Sequence, residues 1–253
     1  MVICPEVQAR GWHKIGPNPA ILGWARAARP VAEQAIAASP EPWRCGGTWF
    51  VGVDALPNGP DGAVAGATFP WDALPLAPCA LHRGQLSTIR PGYPQLSAEE
   101  TPAAFRFRQT RDAAHLDGLL PVGPEKRRKI KEPHAWILGL PLTEAQGAPL
   151  VVWERSHLVL QDALRRALAP HPPAIWAEVD ITEAYQTARA QVFELCPRIE
   201  LRAVPGEAMV LHRLTLHGVA PWPSADHDKG QSARIIAYFR PMLTSVADWI
   251  RAP

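Results

Sequence analysis

Proline and glycine punctuate this chain from end to end, 28 and 18 times in 253 residues. Such spacing cuts a polypeptide into short segments joined by turns, a texture of strands and loops rather than of a helical bundle. The length suffices for one large domain to bury its core without disulfides or structural metal. Cys4, Cys45, Cys79 and Cys196 lie singly with no C-x-x-C spacing. That pattern excludes a zinc ribbon or a redox dithiol and predicts reduced thiols in the cytoplasm. The opening MVICPEVQARGWHKIGPNPAIL lacks a basic stretch followed by an apolar one, and no segment offers the roughly 18 uninterrupted apolar residues of a membrane span. A soluble cytoplasmic protein without a membrane partner is expected. Acids and bases nearly balance, for a formal charge of +2. This argues against a surface built to grip nucleic acid and leaves a small molecule as the expected partner.

Apolar residues recur near helical spacing from 18 to 38, with Pro30 expected to cut the run into two short helices that form an N-terminal cover over 1–45. GGTWFVGVDAL (46–56) and GQLSTIRPGY (84–93) carry the β-branched and aromatic content of strands, separated by a proline-rich connector. FRFRQTRDAAHLDGLL (105–120) opens with aromatic and basic residues in alternation, which predicts a half-buried strand. HAWILGLPL (134–142) and APLVVWERSH (148–157) read as buried strands, as do RIELRAV, GEAMVLHRLTLHGVAPW and SARIIAYFRPML later in the chain. LVLQDALRRALAPH (158–171) and ITEAYQTARAQVFEL (181–195) read as helices. The expected organisation is a single domain over 1–253. Its core spans 84–157 and 198–243, with a helical insertion, a lid or rim, at 158–197.

His115 and Asp117 sit two residues apart, so on a strand they project to the same side while Leu116 packs on the other. An imidazole and a carboxylate so placed can fill adjacent corners of a metal's coordination shell. A histidine from a facing strand would complete a 2-His-1-carboxylate triad with three positions open. The same spacing also suits an ordinary His–Asp hydrogen bond. His217 is the preferred third ligand because Gly218 beside it lets backbone approach closely. His212 competes, but it lies five residues earlier, and on an unbulged strand an odd interval turns it to the opposite face. Arg234 shares a strand face with Ile236 and Tyr238, which places a guanidinium in an apolar row. Burying it without a partner is costly, and its planar fork suits a carboxylate. A rim arginine or an internal salt bridge is the plainer alternative.

In this order, H-x-D, the W-x-L-x-L strand, GAPLVVWERSH, GEAMVLHRLTLHG and SARIIAYFR resemble the phytanoyl-CoA dioxygenase family of Fe(II)/2-oxoglutarate oxygenases, over roughly 84–243. GAPLVVWERSH is similar to the family's G-x-L-x-V-x-P-G-S-H segment, with Trp153, Glu154 and Arg155 departing where a Pro-Gly turn is usual. The resemblance implies a mainly β fold with flanking helices, a double-stranded β-helix or jelly roll of the cupin kind. It implies that His115, Asp117 and His217 hold Fe(II) and that Arg234 pairs with the distal carboxylate of 2-oxoglutarate. Trp136 would line the cosubstrate site and Leu86 would pack against it. Where the family often has a serine two positions after the distal histidine, this chain has Val219. The interval from His217 to Arg234 is also longer than usual, with the surplus in PSADHDKGQ.

The implied activity is a dioxygenase that consumes 2-oxoglutarate and O2 and hydroxylates a small molecule. Tyr93 and Trp222 are candidates for the substrate rim, and the basic cluster KRRKIK (126–131) for attracting an anionic substrate, although a solvated loop is the plainer reading of it. Two other classes fit the same residues. A cupin-like metalloprotein would use the triad without 2-oxoglutarate, and a non-catalytic binding protein would keep the pocket without the metal.

Overall fold

The computed structural model describes residues 4–98, 100–145, 147–223 and 233–251. Helix α1 (Pro5–Arg10), strand β1 (Trp12–Ile15) and helix α2 (Pro19–Ala38) lead into β2 (Trp49–Leu56) and β3 (Gly84–Ile89). Helix α3 (Pro102–Arg111) precedes the short hairpin β4 (Leu119–Val122) and β5 (Arg127–Ile130), then β6 (Trp136–Pro141) and β7 (Leu150–Trp153). Helices α4 (Ser156–Leu168) and α5 (Thr182–Leu195) follow. The chain closes with β8 (Arg198–Leu201), β9 (Ala208–His212), β10 (His217–Val219), β11 (Arg234–Phe239) and helix α6 (Val246–Ile250).

Six strands form one antiparallel sheet in the order β1-β9-β6-β11-β3-β2, and three form a second in the order β10-β7-β8. An isolated bridge between His115 and His217 adds the H-x-D segment to the free edge of the small sheet. Alternation along each strand sorts side chains into layers. On the outer face of the large sheet, Leu86, Trp136, Leu138, Val210 and Ala237 pack with Ile21, Trp24 and Ala28 of α2. On its inner face, Ile137, Met209, Leu211, Ile236 and Tyr238 meet Leu150, Val152 and Leu201 of the small sheet. Behind the small sheet, Val151 and Trp153 pack with Leu160, Leu164, Tyr185 and Val192 of α4 and α5. The 158–197 segment therefore covers the back of the small sheet. No helix among the described residues is long and apolar enough to cross a membrane.

Three expectations about elements change. Helix α2 runs unbroken through Pro30. Pro30 and Arg26, whose carbonyl loses its usual donor, are both exposed, so water can satisfy that carbonyl. Breaking there would strip Val31, Ala32, Ala35 and Ile36 from the core, and their burial offsets the roughly 3 kcal/mol an interior proline costs. FRFRQTR is helical, not extended. Thr101 caps α3 by accepting from the Ala104 amide, and Pro102 occupies its first turn. These start signals outweigh an alternation of aromatic and basic residues that buries no side chain fully. GEAMVLHRLTLHGVAPW is not one strand: β9 belongs to the large sheet and β10 to the small one, with residues 213–216 crossing between them. Most of PSADHDKGQ, the expected insertion, lies outside the described residues.

Candidate metal centre

The crossover from β9 to β10 is what brings His217 to its position. The His115 amide donates to the His217 carbonyl (2.8 Å), and the His217 amide returns a bond to the His115 carbonyl (3.1 Å). Val219 N–H donates to the Asp112 carbonyl on the same edge. A Cβ at Gly218 would lie 2.2 Å from that Asp112 oxygen, so only glycine permits the approach. After Asp117 the chain turns sharply at Gly118 (φ +87°), whose carbonyl accepts from Lys131 and Glu132 N–H.

His115, Asp117 and His217 converge, with one ligand atom from each lying within 4.8 Å of the others. His115 Nε2 is 3.3 Å and His217 Nε2 is 3.7 Å from Asp117 Oδ1. Each imidazole places Nδ1 against a backbone carbonyl two residues earlier, Ala113 for His115 (3.0 Å) and Thr215 for His217 (2.9 Å). With Nδ1 donating, Nε2 carries a lone pair, so two nitrogen lone pairs and a carboxylate oxygen face one point. That arrangement calls for a cation between them. Ligand bonds of about 2.1 Å put neighbouring ligand atoms about 3 Å apart, close to the spacing found. Burial pushes His217 down to about 4, with the His115 charge adding to the effect and Asp117 opposing it. Burial would raise the Asp117 carboxyl, yet the two imidazoles in their protonated forms, His217 first, together with Arg240 hold it well below its usual range.

Arg240, which the sequence reading did not single out, holds the other carboxylate oxygen. Its Nη1 lies 2.9 Å from Asp117 Oδ2, and its Nη2 donates to Gln85. The signal was present, since Arg240 follows Arg234 at an even interval and continues the row of Ile236 and Tyr238.

A cavity of about 210 Å³ leads inward from the triad between the two sheets. Gln85, Ser87, Ile137, Leu150, Val219 and Tyr238 contribute to its wall. Arg234 lies on the same strand face as Tyr238, is only 3% exposed and interacts with the Tyr238 hydroxyl, and among the described residues its guanidinium meets no carboxylate. It is therefore not a rim arginine, and among the described residues it forms no salt bridge.

Four expected positions fall elsewhere. Leu86 pairs with Ala237 and Trp136 with His212, and Leu86, Ala237 and Trp136 face α2 across the outer layer. The pleat gives the cavity their neighbours Gln85, Ser87 and Ile137 instead. Tyr93 and Trp222 are buried together, packed against Ile89 and Val219 rather than standing at a mouth, and the Trp222 amide donates to the Tyr93 carbonyl. His212 faces away from the triad and stacks 4.8 Å from His157.

No protein-family model matches the chain, and no curated protein matches it. Among solved structures it is similar to AviO1 from Streptomyces viridochromogenes Tue57, at 16% identity over 98% of this chain and 95% of that one, with a TM-score of 0.48. It is also similar to the epimerase SnoN in complex with Fe3+, alpha ketoglutarate and nogalamycin RO (12% identity, 94% and 80% covered, TM-score 0.49). A third similar structure is EctD from S. alaskensis with bound Fe (12% identity, 94% and 76% covered, TM-score 0.45).

Proposed function

We propose that this chain is an Fe(II)- and 2-oxoglutarate-dependent dioxygenase that hydroxylates a small molecule, built on a double-stranded β-helix. The carrying observation is Arg234, a buried guanidinium that meets no carboxylate among the described residues, against Tyr238 of the wall of a cavity that includes a 2-His-1-carboxylate set. A buried charge without a counterion is strongly unfavourable, so its place in the fold is best explained by an anion that arrives from outside. A dicarboxylate matches the two kinds of group present, a buried guanidinium and a candidate metal set. Arg234 would take one carboxylate through a charge-assisted pair, and His115, Asp117 and His217 would hold the metal that engages the other end. A metalloprotein that does without 2-oxoglutarate would leave Arg234 unexplained.

When bound, Fe(II) and 2-oxoglutarate supply the capacity to reduce O2 and oxidise a C–H bond, with succinate and CO2 as coproducts. The chain's own residues do the positioning. Arg240 fixes Asp117 so that Oδ1 faces the two imidazoles. The Ala113 and Thr215 carbonyls fix the tautomer of both histidines. Ile137, Leu150 and Val219 line the cavity with apolar surface that excludes water. Val219 offers no hydroxyl, but Ser87 and Tyr238 on the large-sheet side of the cavity do.

Anaerobic titration of the full chain with Fe(II) and then 2-oxoglutarate tests the reading. A visible charge-transfer band that saturates with one equivalent of each is expected. Binding of Fe(II) with no band on adding 2-oxoglutarate would favour the metalloprotein without this cosubstrate.

A further inference from the structure

A second cleft, of about 350 Å³, opens on the other side of the metal set and shares His115, Asp117, Gln85 and Arg240 with the inner cavity. The rest of its wall combines apolar Val53, Leu119 and Leu120 with Tyr185, Arg128 and Arg189. Val53 is 64% exposed and Leu120 38%, so apolar surface is open to solvent within reach of the triad.

The basic cluster 126–131 divides by strand alternation. Arg127 pairs with Glu125 and Asp180, and Lys129 and Lys131 both pair with Glu178. Those charges are neutralised on the outer face. Arg128 and Ile130 project to the opposite face. Ile130 enters the core, and Arg128 lines the cleft, where its Nη1 donates to the Leu119 carbonyl (3.2 Å). Arg189 lies over the rings of Phe107 (4.9 Å) and Tyr185 (5.3 Å), which fix its plane. Among the described residues neither arginine pairs with a carboxylate. Of the acids on the same wall, Asp117 is paired with Arg240, while Glu132, 3.4 Å from His134 Nε2 without a hydrogen bond, stays a carboxylate and leaves the two guanidiniums in excess by one charge. Two guanidiniums that pair with no described carboxylate therefore share one recess with exposed apolar side chains and a net positive charge.

We propose that this cleft is the site of the primary substrate. It takes a small molecule bearing a carboxylate or phosphate on an apolar body, with the anion on Arg128 and Arg189 and the apolar part along Val53, Leu119 and Leu120 beside His115. The assignment rests on the oxygenase reading only for what is done to the substrate. Arg128 and Arg189 set specificity through charge-assisted hydrogen bonds that a neutral analogue cannot make.

Calorimetric titration of the full chain with hexanoate, hexyl phosphate and hexanol tests it, carried out on the Arg234→Met background so that no carboxylate can seat in the inner cavity. At least one anion is expected to bind about tenfold more tightly than hexanol. Arg128→Gln and Arg189→Gln should each weaken that anion about tenfold and leave hexanol unchanged, while Arg189→Lys recovers part of the loss. Whichever anion binds more tightly identifies the headgroup. Equal affinity for hexanol and both anions, or anion affinity unchanged in Arg189→Gln, would overturn the proposal. Because Arg128 also holds the Leu119 carbonyl, a folding defect in its variant leaves Arg189→Gln to decide. Anion binding without the charge-transfer band would keep the cleft and reject the oxygenase; the band without anion binding would do the reverse.

Discussion

Arg234 and Arg240 project from the same side of the last strand, six residues apart, and among the described residues Arg240 meets a carboxylate while Arg234 does not. The pair separates two uses of a buried guanidinium. Arg240 compensates the charge of Asp117 and orients it, whereas Arg234 is held by the fold in a place where no described carboxylate compensates it. A fold that keeps an unpaired cation in its interior loses stability by doing so.

That loss gives a prediction with two opposite signs. Arg234→Met fills a similar volume without charge and should stabilise the ligand-free protein by about 1–4 kcal/mol. The same change should abolish the rise in thermal midpoint that 2-oxoglutarate gives the metal-loaded wild type, since about 2–5 kcal/mol of binding rests on such a pair. Thermal unfolding with and without 2-oxoglutarate reads both. A destabilised variant that still responds to 2-oxoglutarate would remove Arg234 from the binding site.

Arg240→Met tests the other role. Without the guanidinium, Asp117 Oδ2 loses its donor and the carboxylate is free to rotate away from the imidazoles. Losing the hydrogen bond that orients a metal ligand reduces metal affinity roughly 10–100-fold. Competition between the protein and a chelator for Co(II) or Fe(II) measures it, and an unchanged dissociation constant would show that the histidine carbonyl bonds alone suffice.

The sequence carried the metal centre more plainly than its surroundings, for a geometric reason. The H-x-D pair and His217 need only one local fact each, that extended backbone repeats every two residues and that Gly218 admits a close neighbour. Leu86 and Trp136 depended on knowing which face of a fully buried strand looks inward, and a strand apolar on both faces does not say. Ser87, a small polar residue between Leu86 and Thr88, was the available hint. The His212 and His217 question was decided by the crossing of the chain between sheets at 213–216, a tertiary event with no turn-forming proline or glycine to announce it in RLTL. In FRFRQTR, Thr101 and Pro102 marked a helix start that the period-2 pattern obscured.

The His157 and His212 pair predicts acid sensitivity independent of the metal site. Both are buried with ring centroids 4.8 Å apart. His212 Nδ1 accepts from the Leu214 amide (3.1 Å), and His157 Nε2 meets the Gln8 carbonyl (2.9 Å). Burial lowers both, His212 well below its ordinary 6.5 with the charges of His157 and Arg213 adding to the effect, and His157 to a lesser degree with Arg155 adding. Groups depressed on folding take up protons more readily when unfolded, so stability is intact above about pH 6.5 and falls as the pH drops below it, by about 1.4 kcal/mol per unit per group. His212→Asn keeps an acceptor for Leu214 and should flatten the dependence by one group's share. Urea midpoints from pH 7.5 to 5 compare the two proteins, and parallel curves would rule the pair out as the source.

Gly218→Ala makes the strictest demand on the site's construction. Its Cβ would sit 2.2 Å from the Asp112 carbonyl oxygen and 3.2 Å from Ala114 Cα, both backbone and both in the segment that carries His115. Neither can yield by a rotamer change, so the two edges must move apart. Asp112 resists the movement, because its buried carboxylate takes both Nε and Nη2 of Arg198 at 2.7 and 2.8 Å. Overpacking against fixed backbone costs about 1–3 kcal/mol or more, and the paired amide bonds between His115 and His217 are the first to lengthen. The variant should remain folded with a lowered thermal midpoint and bind Co(II) at least tenfold more weakly, a loss set by ligand spacing and not by ligand identity. Wild-type metal affinity in a destabilised Gly218→Ala would mean that His217 is positioned by its Thr215 bond, and that the edge between the H-x-D segment and β10 is dispensable for the centre.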